Sequence, residues 1–389
     1  MREISVIIPT YNSLDALKKN IQAIVNQSYL PNEIIIIDSS NNDKIENYIL
    51  RNKFNIEIIY RRFKRLFPGE ARNIGANIAK FEYLAFLDSK TIPCESWLKI
   101  NVEYLDNLDL DVVFGSTQYL ANSNFQMALI ASTYGQNSIE TTPGTLISSK
   151  NFNLSNGFQE KIRAGEDLYW RQNLKSGNLS AIKPTETTLR YSFLEENIFS
   201  SMWKFFLYQI SGSKLDIQAN PRKIILLFFA IFLAILIPQW NRIVGWEDNV
   251  LYIPNITKIY FLTYFVVFLF TFLYDSVINK ILSPFVRKLL KNIFLINFFV
   301  VVFLWNGSIA NWVEQSNWYV PHITKLYISS LFLSSFLYRG IYFPLTNGLS
   351  INQLFPFMWL NAGFIGMLLD ISKLPGYFLG ALFLIFKKN

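Results

Sequence analysis

Cysteine and histidine are almost absent from this chain, which has one of each among 389 residues, Cys94 and His322. A single cysteine cannot form an internal disulfide bond or a zinc site built from several thiolates. A single histidine excludes a metal site made of several imidazoles, and a Ser-His-Asp mechanism would depend on His322 alone. The first residues also lack the long apolar segment of a signal peptide, so we expect the N-terminal half to remain in the cytoplasm.

Acidic residues are scarce in the second half of the chain. The formal net charge is +8, and residues 1–220 contain equal numbers of basic and acidic side chains, so the whole excess lies beyond residue 220. A nucleic-acid-binding protein would be expected to carry a basic face on its folded domain, and we therefore exclude nucleic acid as a partner. Basic residues that flank apolar segments are typical of membrane proteins.

The first half alternates short apolar runs with segments of helical periodicity, which predicts a mostly parallel sheet covered by helices. The predicted strands are 4–8, 33–37, 56–60 and 83–87, and the clearest predicted helices are 13–27 and 70–80. Polar residues follow three of these strands directly. Because ligands bind beyond the carboxyl ends of parallel strands, we expect a site at this edge of the sheet.

The second half contains long apolar runs, which predict a transmembrane domain over 221–389 with about four to six helical segments. The runs are 224–237, 259–274, 293–305, 326–337 and a last stretch, 354–386, which is interrupted by charged residues and proline. A buried helical core is the alternative. Residues 193–220 are predicted to form amphipathic helices at the membrane surface.

The charges between the apolar runs predict the orientation. Residues 275–292 contain four basic side chains, whereas 306–321 contain no Lys or Arg. By the positive-inside rule, the first segment lies in the cytoplasm and the second lies outside. We therefore expect a multi-pass protein of the inner membrane, with residues 1–192 as a cytoplasmic catalytic domain.

Three carboxylates stand at positions suited to catalysis. Asp38 and Asp88 each follow an apolar strand, and Asp167 lies in a charged segment before a predicted helix. Each of them alone is also compatible with a helix cap or a turn. A sugar-nucleotide enzyme needs such groups to hold its nucleotide and to deprotonate an acceptor hydroxyl.

Five motifs, in this order, resemble the inverting family 2 glycosyltransferases, which have the GT-A fold. The resemblance covers residues 4–215 and lies in the segments 5–12, 33–40, 71–79, 86–93 and 156–171, which read SVIIPTYN, EIIIIDSS, ARNIGANIA, FLDSKTIP and NGFQEKIRAGEDLYWR. It implies a nucleotide-sugar-binding catalytic domain with helices on both faces of the sheet. The hydrophobic half resembles the membrane-bound bacterial members only loosely.

The resemblance also implies roles for individual residues. Asp167 would be the general base, and Glu166 would help to shape the acceptor site. The residues implied for donor binding are Pro9, Thr10, Tyr11, Asp38, Arg72, Asp88 and Lys90. The residues implied for the acceptor side are Gly157, Phe158, Trp170 and Arg171.

Lys90 departs from the family pattern, because it stands where the Asp-x-Asp motif has its second carboxylate. An ammonium group cannot ligate a cation, so we favour metal-independent activity in which Lys90 pairs with the diphosphate. Two alternatives stay open. Asp88 and another carboxylate could bind Mg²⁺ or Mn²⁺, or the protein could be an inactive relative; the intact Glu166-Asp167 pair argues against the second.

The expected function is transfer of a sugar from a nucleotide-sugar donor to a lipid or lipid-linked acceptor hydroxyl at the cytoplasmic membrane face. This activity would serve the synthesis of a cell-surface polysaccharide or glycolipid. A polyprenyl-phosphate glycosyltransferase is the alternative within the same class. From another class, the alternative is a transporter component with a nucleotide-binding regulatory domain, although the apolar runs contain few charges that could form an ion pathway.

Overall fold

The computed structural model describes residues 2–177, 179–215, 332–333 and 335–386. The chain divides into two compact units, one made of Met1–Ile217 with Ser335–Asn389 and the other of Gln218–Ser334. Nearly all of the described residues belong to the first unit, and the fold described below is the fold of that unit. The domain bounds at residues 192 and 220 stay predictions.

The first part of the chain alternates strands and helices. Its elements are β1 (Ile4–Thr10), α1 (Leu14–Val25), β2 (Glu33–Asp38), α2 (Lys44–Arg51), β3 (Glu57–Arg62), α3 (Pro68–Ile78), β4 (Tyr83–Phe86), β5 (Thr91–Pro93) and α4 (Trp97–Leu108). The isoleucine runs in β1 and β2 are almost wholly buried, as expected for central strands that are covered on both faces. The α/β architecture that the sequence predicts is confirmed.

The following elements extend the same sheet. They are β6 (Val112–Tyr119), α5 (Asn124–Thr133), β7 (Ile139–Ser148), α6 (Ser149–Leu154), α7 (Glu166–Ser176), β8 (Ala181–Ile182), β9 (Leu189–Tyr191) and α8 (Ile198–Lys214). The strand order in the described residues is β3-β2-β1-β4-β7-β6-β9-β5, and β8 pairs with β6. Strands β1 to β4 are parallel, and β7 joins them antiparallel to β4. The sheet is therefore mixed.

Two apolar layers cover the sheet because side chains alternate along each strand. Ile4, Val6 and Ile8 of β1 pack in the layer that contains α1 and α4. Ile7 of the same strand faces the other layer, which contains α3 and α7. This two-sided burial fixes the register of β1 and thereby the position of the residues that follow it.

The described C-terminal residues are helical and pack on the α/β fold formed by the first part of the chain. A π-helical turn, Tyr338–Tyr342, leads into α9 (Phe343–Thr346), α10 (Ile351–Leu354) and the long α11 (Met358–Phe386). Ile365 and Leu369 of α11 are buried together with Leu129 of α5. In α8, the carbonyl oxygen of Phe206 lies close to Gly376 of α11. The last helix thus rests against both α5 and α8.

The predicted membrane domain needs correction. Among the described residues, no helix combines the length and the apolar character that a membrane crossing requires. The stretch 354–386 instead contains the end of α10 and the whole of α11, which packs against α5 and includes the charged residues Asp370 and Lys373. The expectation of transmembrane helices, and with it the inner-membrane localisation, is therefore wrong for the part of the chain that the structure describes.

The other apolar runs fall wholly or mostly beyond the described residues. Residues 224–237, 259–274 and 293–305 lie outside them, as do the segments 275–292 and 306–321 that predicted the orientation. Of the run 326–337, the structure describes only the last few positions. Residues 193–215 contain helix α8, and its predicted contact with a membrane surface stays a prediction.

Candidate active site

The polar residues that close β1, β2 and β4 lie at one edge of the sheet. In the register of these strands Thr10 is the partner of Asp38, and Ile7 is the partner of Phe86. The amide of Leu87 donates to the carbonyl oxygen of Ile7 at 3.0 Å, which carries the chain onward to Asp88. The edge predicted from the sequence therefore exists, and it brings the ends of these three strands together.

Arg72 of α3 is the centre of the site. Its guanidinium donates from Nη2 to Asp88 Oδ1 at 2.6 Å and from Nη1 to Glu166 Oε1 at 2.9 Å. The side chain is buried, and its charged carbon lies 5.2 Å from the centre of the Phe158 ring. Burial alone would lower the pKa of Arg72, but the carboxylates of Asp88, Glu166 and Asp167 raise it above its ordinary value. Arg72 thus stays charged and links the two acidic motifs.

Glu166 and Asp167 occupy the first turn of α7. Gly165 precedes them with φ of +89°, a left-handed conformation that glycine adopts easily. Burial raises the pKa of Glu166 from 4.5 to about 7, Arg72 lowers it, and Asp167 raises it. Negative charge at a helix N-terminus is stabilised by the free amide groups there.

Asp167 differs from Glu166 in its contacts. Its side chain is only partly buried, and no hydrogen bond engages its carboxylate within the described part of the chain. Its backbone oxygen accepts from the hydroxyl of Thr142 at 3.3 Å. The backbone is thereby tied to β7 while the carboxylate stays available to another molecule.

Asp38 is fully buried and its carboxylate is already occupied. Oδ1 accepts from the amide and the hydroxyl of Ser40 at 2.8 and 2.5 Å, and Oδ2 accepts from the hydroxyl of Tyr60 at 2.8 Å. These contacts shape the turn after β2. Direct contact between Asp38 and a nucleotide stays a prediction, and it would require one of these hydrogen bonds to be shared or exchanged.

The turn after β1 presents both buried and exposed groups. Pro9 lies within β1, opposite Ile37. The hydroxyl of Thr10 lies 3.0 Å from that of Ser13, and is buried. Tyr11 is 59% exposed, and its hydroxyl accepts from Asn41 at 3.1 Å. Of the residues predicted from this turn, Tyr11 is the one whose side chain a nucleotide could reach without rearrangement.

The loop after β4 does not fit a metal ion in the family manner. Asp88 Oδ1 is paired with Arg72, and the position two residues further on is Lys90, an exposed cation. A cation at this point would share Asp88 with a guanidinium, and the second carboxylate of the motif is replaced by Lys90. Mg²⁺ and Mn²⁺ prefer several carboxylate or other oxygen ligands, and a lysine side chain supplies none.

The residues predicted for the acceptor side are mainly structural. Phe158 and Trp170 are buried in the same aromatic cluster, with ring centres 4.5 Å apart. Arg171 donates to the backbone oxygen of Glu140 at 2.6 Å and to its carboxylate at 3.2 Å. Gly157 has φ of +62°, and a β-carbon there would meet the Asn73 side chain at 2.8 Å. These residues position the loop before α7, and their contact with an acceptor stays a prediction.

Two sets of residues near the site were not predicted as functional. Asn73 holds the loop before α7 by donating to the carbonyl oxygen of Phe158 and accepting from its amide, both at 2.9 Å. Its place in the Arg-Asn-x-Gly motif could have suggested this role. Tyr119 and Tyr191 end strands β6 and β9, and no sequence signal indicated that these strands are neighbours.

Residues 5–158 match the family described as Glycosyl transferase family 2, and this part of the chain is a family 2 glycosyltransferase domain. The chain is 24% identical over 206 residues to the Escherichia coli UDP-Glc:alpha-D-GlcNAc-diphosphoundecaprenol beta-1,3-glucosyltransferase WfgD. The aligned region covers 52% of this chain and 81% of WfgD. The chain is 27% identical over 187 residues to an uncharacterized glycosyltransferase of Rickettsia bellii, covering 46% of this chain and 27% of that protein.

The chain spans 27% of the length of the Rickettsia bellii protein and 35% of the length of two further Rickettsia glycosyltransferases. Among solved structures, Staphylococcus aureus TarS 1-349 in complex with UDP-GlcNAc is similar with a TM-score of 0.40 and 15% identity, over 89% of each chain. A similarity of this size supports no statement about substrate.

Proposed function

We propose that this chain is an inverting glycosyltransferase that transfers a sugar from a nucleotide-sugar donor to a hydroxyl group of a lipid or lipid-linked acceptor. The observation that carries the proposal is the buried Arg72, which joins Asp88 to Glu166, the residue directly before Asp167 in the first turn of α7. The family 2 domain supplies the reaction class.

Asp167 is the general base of the proposed reaction. Its carboxylate takes the proton of the acceptor hydroxyl as the oxygen attacks the anomeric carbon of the donor. The bond from that carbon to the nucleotide diphosphate breaks on the opposite side, and the diphosphate leaves with the electron pair. Configuration at the anomeric carbon is inverted. Glu166 does not compete for the proton, because its side chain is buried and its Oε1 accepts a hydrogen bond from Arg72 at 2.9 Å.

The charge of the departing diphosphate has to be countered. We propose that Lys90 does this directly, with no metal ion, because it is an exposed cation in the loop that contains Asp88, whose carboxylate is already paired with Arg72. Positive charge placed where negative charge develops lowers the barrier of the reaction. Arg72 keeps Asp88 in place and contributes to the same field.

A lipid-linked acceptor is supported by one relative. The name of WfgD describes a glucosyltransferase that acts on a diphosphoundecaprenol-linked sugar, and the match covers 81% of the length of WfgD. The sugar, the nucleotide base and the lipid of the present chain are to be found by experiment. Polyprenyl phosphate, whose phosphate oxygen would replace the hydroxyl as nucleophile, is the acceptor of the alternative function.

The test combines purified full-length protein with a panel of UDP- and GDP-sugars, a total lipid extract, and either EDTA or Mn²⁺. Release of nucleotide diphosphate and labelling of the lipid fraction are measured together. We expect release that depends on one donor and on the extract, and that persists in EDTA. A parallel arm with polyprenyl phosphate as sole acceptor tests the alternative. Nucleotide release without a glycosylated product in any arm would contradict the proposed transfer.

A further inference from the structure

Three tyrosines form a row beside the site. Tyr119 ends β6, Tyr191 ends β9, and Tyr134 caps the C-terminus of α5. The rings of Tyr119 and Tyr134 are stacked, with centres 3.9 Å apart and planes within 6° of parallel, and the ring of Tyr191 lies 5.2 Å from that of Tyr119. All three side chains are partly exposed. None of them has a role in the reaction proposed above.

The register of the sheet connects this row to the donor loop. Tyr119 is the partner of Tyr191, and Tyr191 in turn is the partner of Thr91. The amide of Thr91 donates to the carbonyl oxygen of Asp88 at 2.9 Å. Side chains of residues in register point to the same face of a sheet, so the row continues to the residue that follows Lys90.

A second connection leads to the general base. Thr117 lies two positions before Tyr119 on the same face of β6, and its hydroxyl is 2.6 Å from that of Thr141 in β7. The next residue, Thr142, donates to the backbone oxygen of Asp167 at 3.3 Å. The end of β6 is thus linked to the first turn of α7 through β7.

The electrostatics agree with this position. Burial raises the pKa of Tyr119 well above its ordinary value, and Tyr134, Tyr191, Asp167 and Asp88 raise it further, in that order. Its hydroxyl therefore stays protonated at neutral pH and can donate a hydrogen bond. A neutral tyrosine offers both an apolar ring and a polar group, a combination suited to a sugar, which has apolar C–H faces and hydroxyl edges.

From this arrangement we infer that the row of Tyr119, Tyr134 and Tyr191 binds the sugar ring of the acceptor and directs its hydroxyl towards Asp167. The inference rests on the proposed glycosyltransferase function and deepens it, because it names a glycoside as the acceptor class. The row is connected to the donor loop through Thr91 and to the first turn of α7 through β7, and an acceptor must reach both for in-line attack.

Residues of the C-terminal segment contact the backbone on both sides of Tyr134. Arg339 donates to the carbonyl oxygen of Ser132 in α5 at 3.2 Å, two residues before Tyr134. Gly135 has φ of +79°, and a β-carbon there would lie 2.4 Å from the Asn347 side chain. The amide of Gln136 also donates to the carbonyl oxygen of Asn347 at 2.8 Å. Tyr134 is therefore fixed by contacts on both sides of the stack.

The test uses two measurements on full-length protein with the donor that the panel of nucleotide sugars identifies. Transfer is measured with octyl β-glucoside, octyl β-galactoside and octyl N-acetyl-β-glucosaminide as acceptor probes, and hydrolysis of the donor by water is measured without a probe. Tyr119→Leu should raise the acceptor KM about tenfold, the size expected for one lost aromatic contact, while donor KM and hydrolysis change less than about twofold. Tyr119→Phe should retain most of the affinity, since it keeps the ring.

Tyr104→Leu is the matched control, because Tyr104 is a partly buried residue of α4 whose hydroxyl contacts Thr185 and Glu186. It should leave the acceptor KM unchanged. An unchanged acceptor KM in Tyr119→Leu, or a parallel fall of transfer and hydrolysis, would overturn the tyrosine site while leaving the glycosyltransferase function standing. Wild-type protein that transfers to neither the octyl glycosides nor the lipid extract would overturn the function itself.

Discussion

The carboxylates of the site have different partners, and this difference supports the roles proposed for them. Asp88 and Glu166 share the guanidinium of Arg72, and Asp38 is held by Ser40 and Tyr60. Only Asp167 among these four has a carboxylate without a hydrogen bond in the described residues. A general base must be able to reach the proton that it takes, and a carboxylate held by a buried arginine is a poor candidate.

Asp167→Asn is therefore expected to abolish most of the transfer. The amide cannot accept the proton, and the loss of a general base commonly costs about 10²–10⁴ in rate. Donor binding should change little, because the contacts of Arg72 are retained. Single-turnover transfer and nucleotide binding by calorimetry measure the two effects, and Asp109→Asn, at an exposed helix end, is the control. Turnover like that of the wild type would remove Asp167 from the mechanism.

Lys90 tests the metal-independent reaction. Lys90→Ala should lose much of the rate in EDTA, because the leaving diphosphate loses the cation proposed to counter its charge. Lys90→Asp restores the acidic motif, so it should be poorly active in EDTA and should bind UDP or GDP more tightly when Mn²⁺ is added. Calorimetry of nucleotide binding with and without Mn²⁺ detects this without an activity assay. Wild-type activity that disappears in EDTA and returns with Mn²⁺ would refute the role given to Lys90.

Glu166 should make stability depend on pH. Its pKa is raised by burial from 4.5 to about 7, so between these values the folded protein keeps a proton that the unfolded chain has released. The corresponding stability is complete below pH 4.5 and is lost as pH rises through about 7. The loss amounts to about 1.4 kcal/mol for each pH unit that separates the folded and unfolded pKa values. Arg72 opposes this effect.

Urea unfolding at pH 5, 6, 7 and 8 measures the predicted loss. The free energy of unfolding of wild type should fall relative to that of Glu166→Gln as the pH increases, because glutamine does not titrate. Glu82→Gln, at an exposed position, should follow the wild type at every pH. Parallel curves for wild type and Glu166→Gln would show that Arg72 keeps Glu166 ionised throughout this range.

At the scale of elements, the central strands could be predicted and their neighbours could not. The isoleucine runs that became β1 and β2 are bounded by polar turns, and burial on both faces leaves little freedom in their limits. The short strands β5, β8 and β9 have two or three residues each and pair with distant parts of the chain. Three residues carry no periodicity, so neither their existence nor the tyrosine row was predictable.

The helices of the site illustrate the same limit. The motif around Arg72 correctly indicated a helix, and the motif around Glu166 indicated a catalytic segment. Neither motif indicated that one guanidinium would bind Asp88 and Glu166 together, because that pairing depends on how α3 and α7 pack on the sheet. The candidate residues could therefore be proposed one by one from the sequence, whereas their contacts required the structure.

Gly75 shows why the helix motif contains a glycine. It lies where α3 crosses β1, and a β-carbon would be 2.4 Å from Cγ2 of Ile7, a distance that forces a shift of buried atoms. Gly75→Ala should therefore destabilise the fold by about 1–3 kcal/mol. Gly212→Ala, inside α8 with no atom of the described residues within 4 Å, should be neutral or stabilise by up to about 1 kcal/mol. Thermal unfolding of both variants separates crowding from helix propensity, and equal shifts would exclude the crowding explanation.

At the scale of the whole molecule, the sequence predicted a membrane anchor where the described C-terminal residues form a docked helix. An apolar helix face reads the same in sequence whether it meets lipid or another protein surface. The distinguishing feature is the charged group in the middle of the last stretch, Asp370 with Lys373. Both are paired on the protein, together with Arg339, and this explains how charges are accommodated in an otherwise apolar segment.

This charged group should hold the C-terminal segment on the catalytic unit. Asp370 accepts from Nε and Nη2 of Arg339 at 3.0 and 2.9 Å, from Lys373 at 2.8 Å and from Ser335 at 3.0 Å. Burial raises the pKa of Asp370, but the two cations outweigh it and lower the pKa to about 2. Asp370 therefore stays ionised at any pH well above 2, and its ion pairs persist throughout that range.

Asp370→Asn should loosen the segment from α5. The substitution leaves the partly buried guanidinium of Arg339 without its carboxylate, and breaking such a pair commonly costs about 3–5 kcal/mol. Limited proteolysis should then cut faster in 347–350, while Asp106→Asn, which breaks an exposed ion pair with Arg2, should change the unfolding free energy by less than about 1 kcal/mol. Arg339 also donates to the carbonyl oxygen of Ser132, two residues before Tyr134. The acceptor KM should therefore rise in Asp370→Asn, while the rate of donor hydrolysis should change less. Unchanged proteolysis together with an unchanged acceptor KM would mean that the apolar contacts of α11 suffice to hold the segment and that Asp370 contributes nothing to the site.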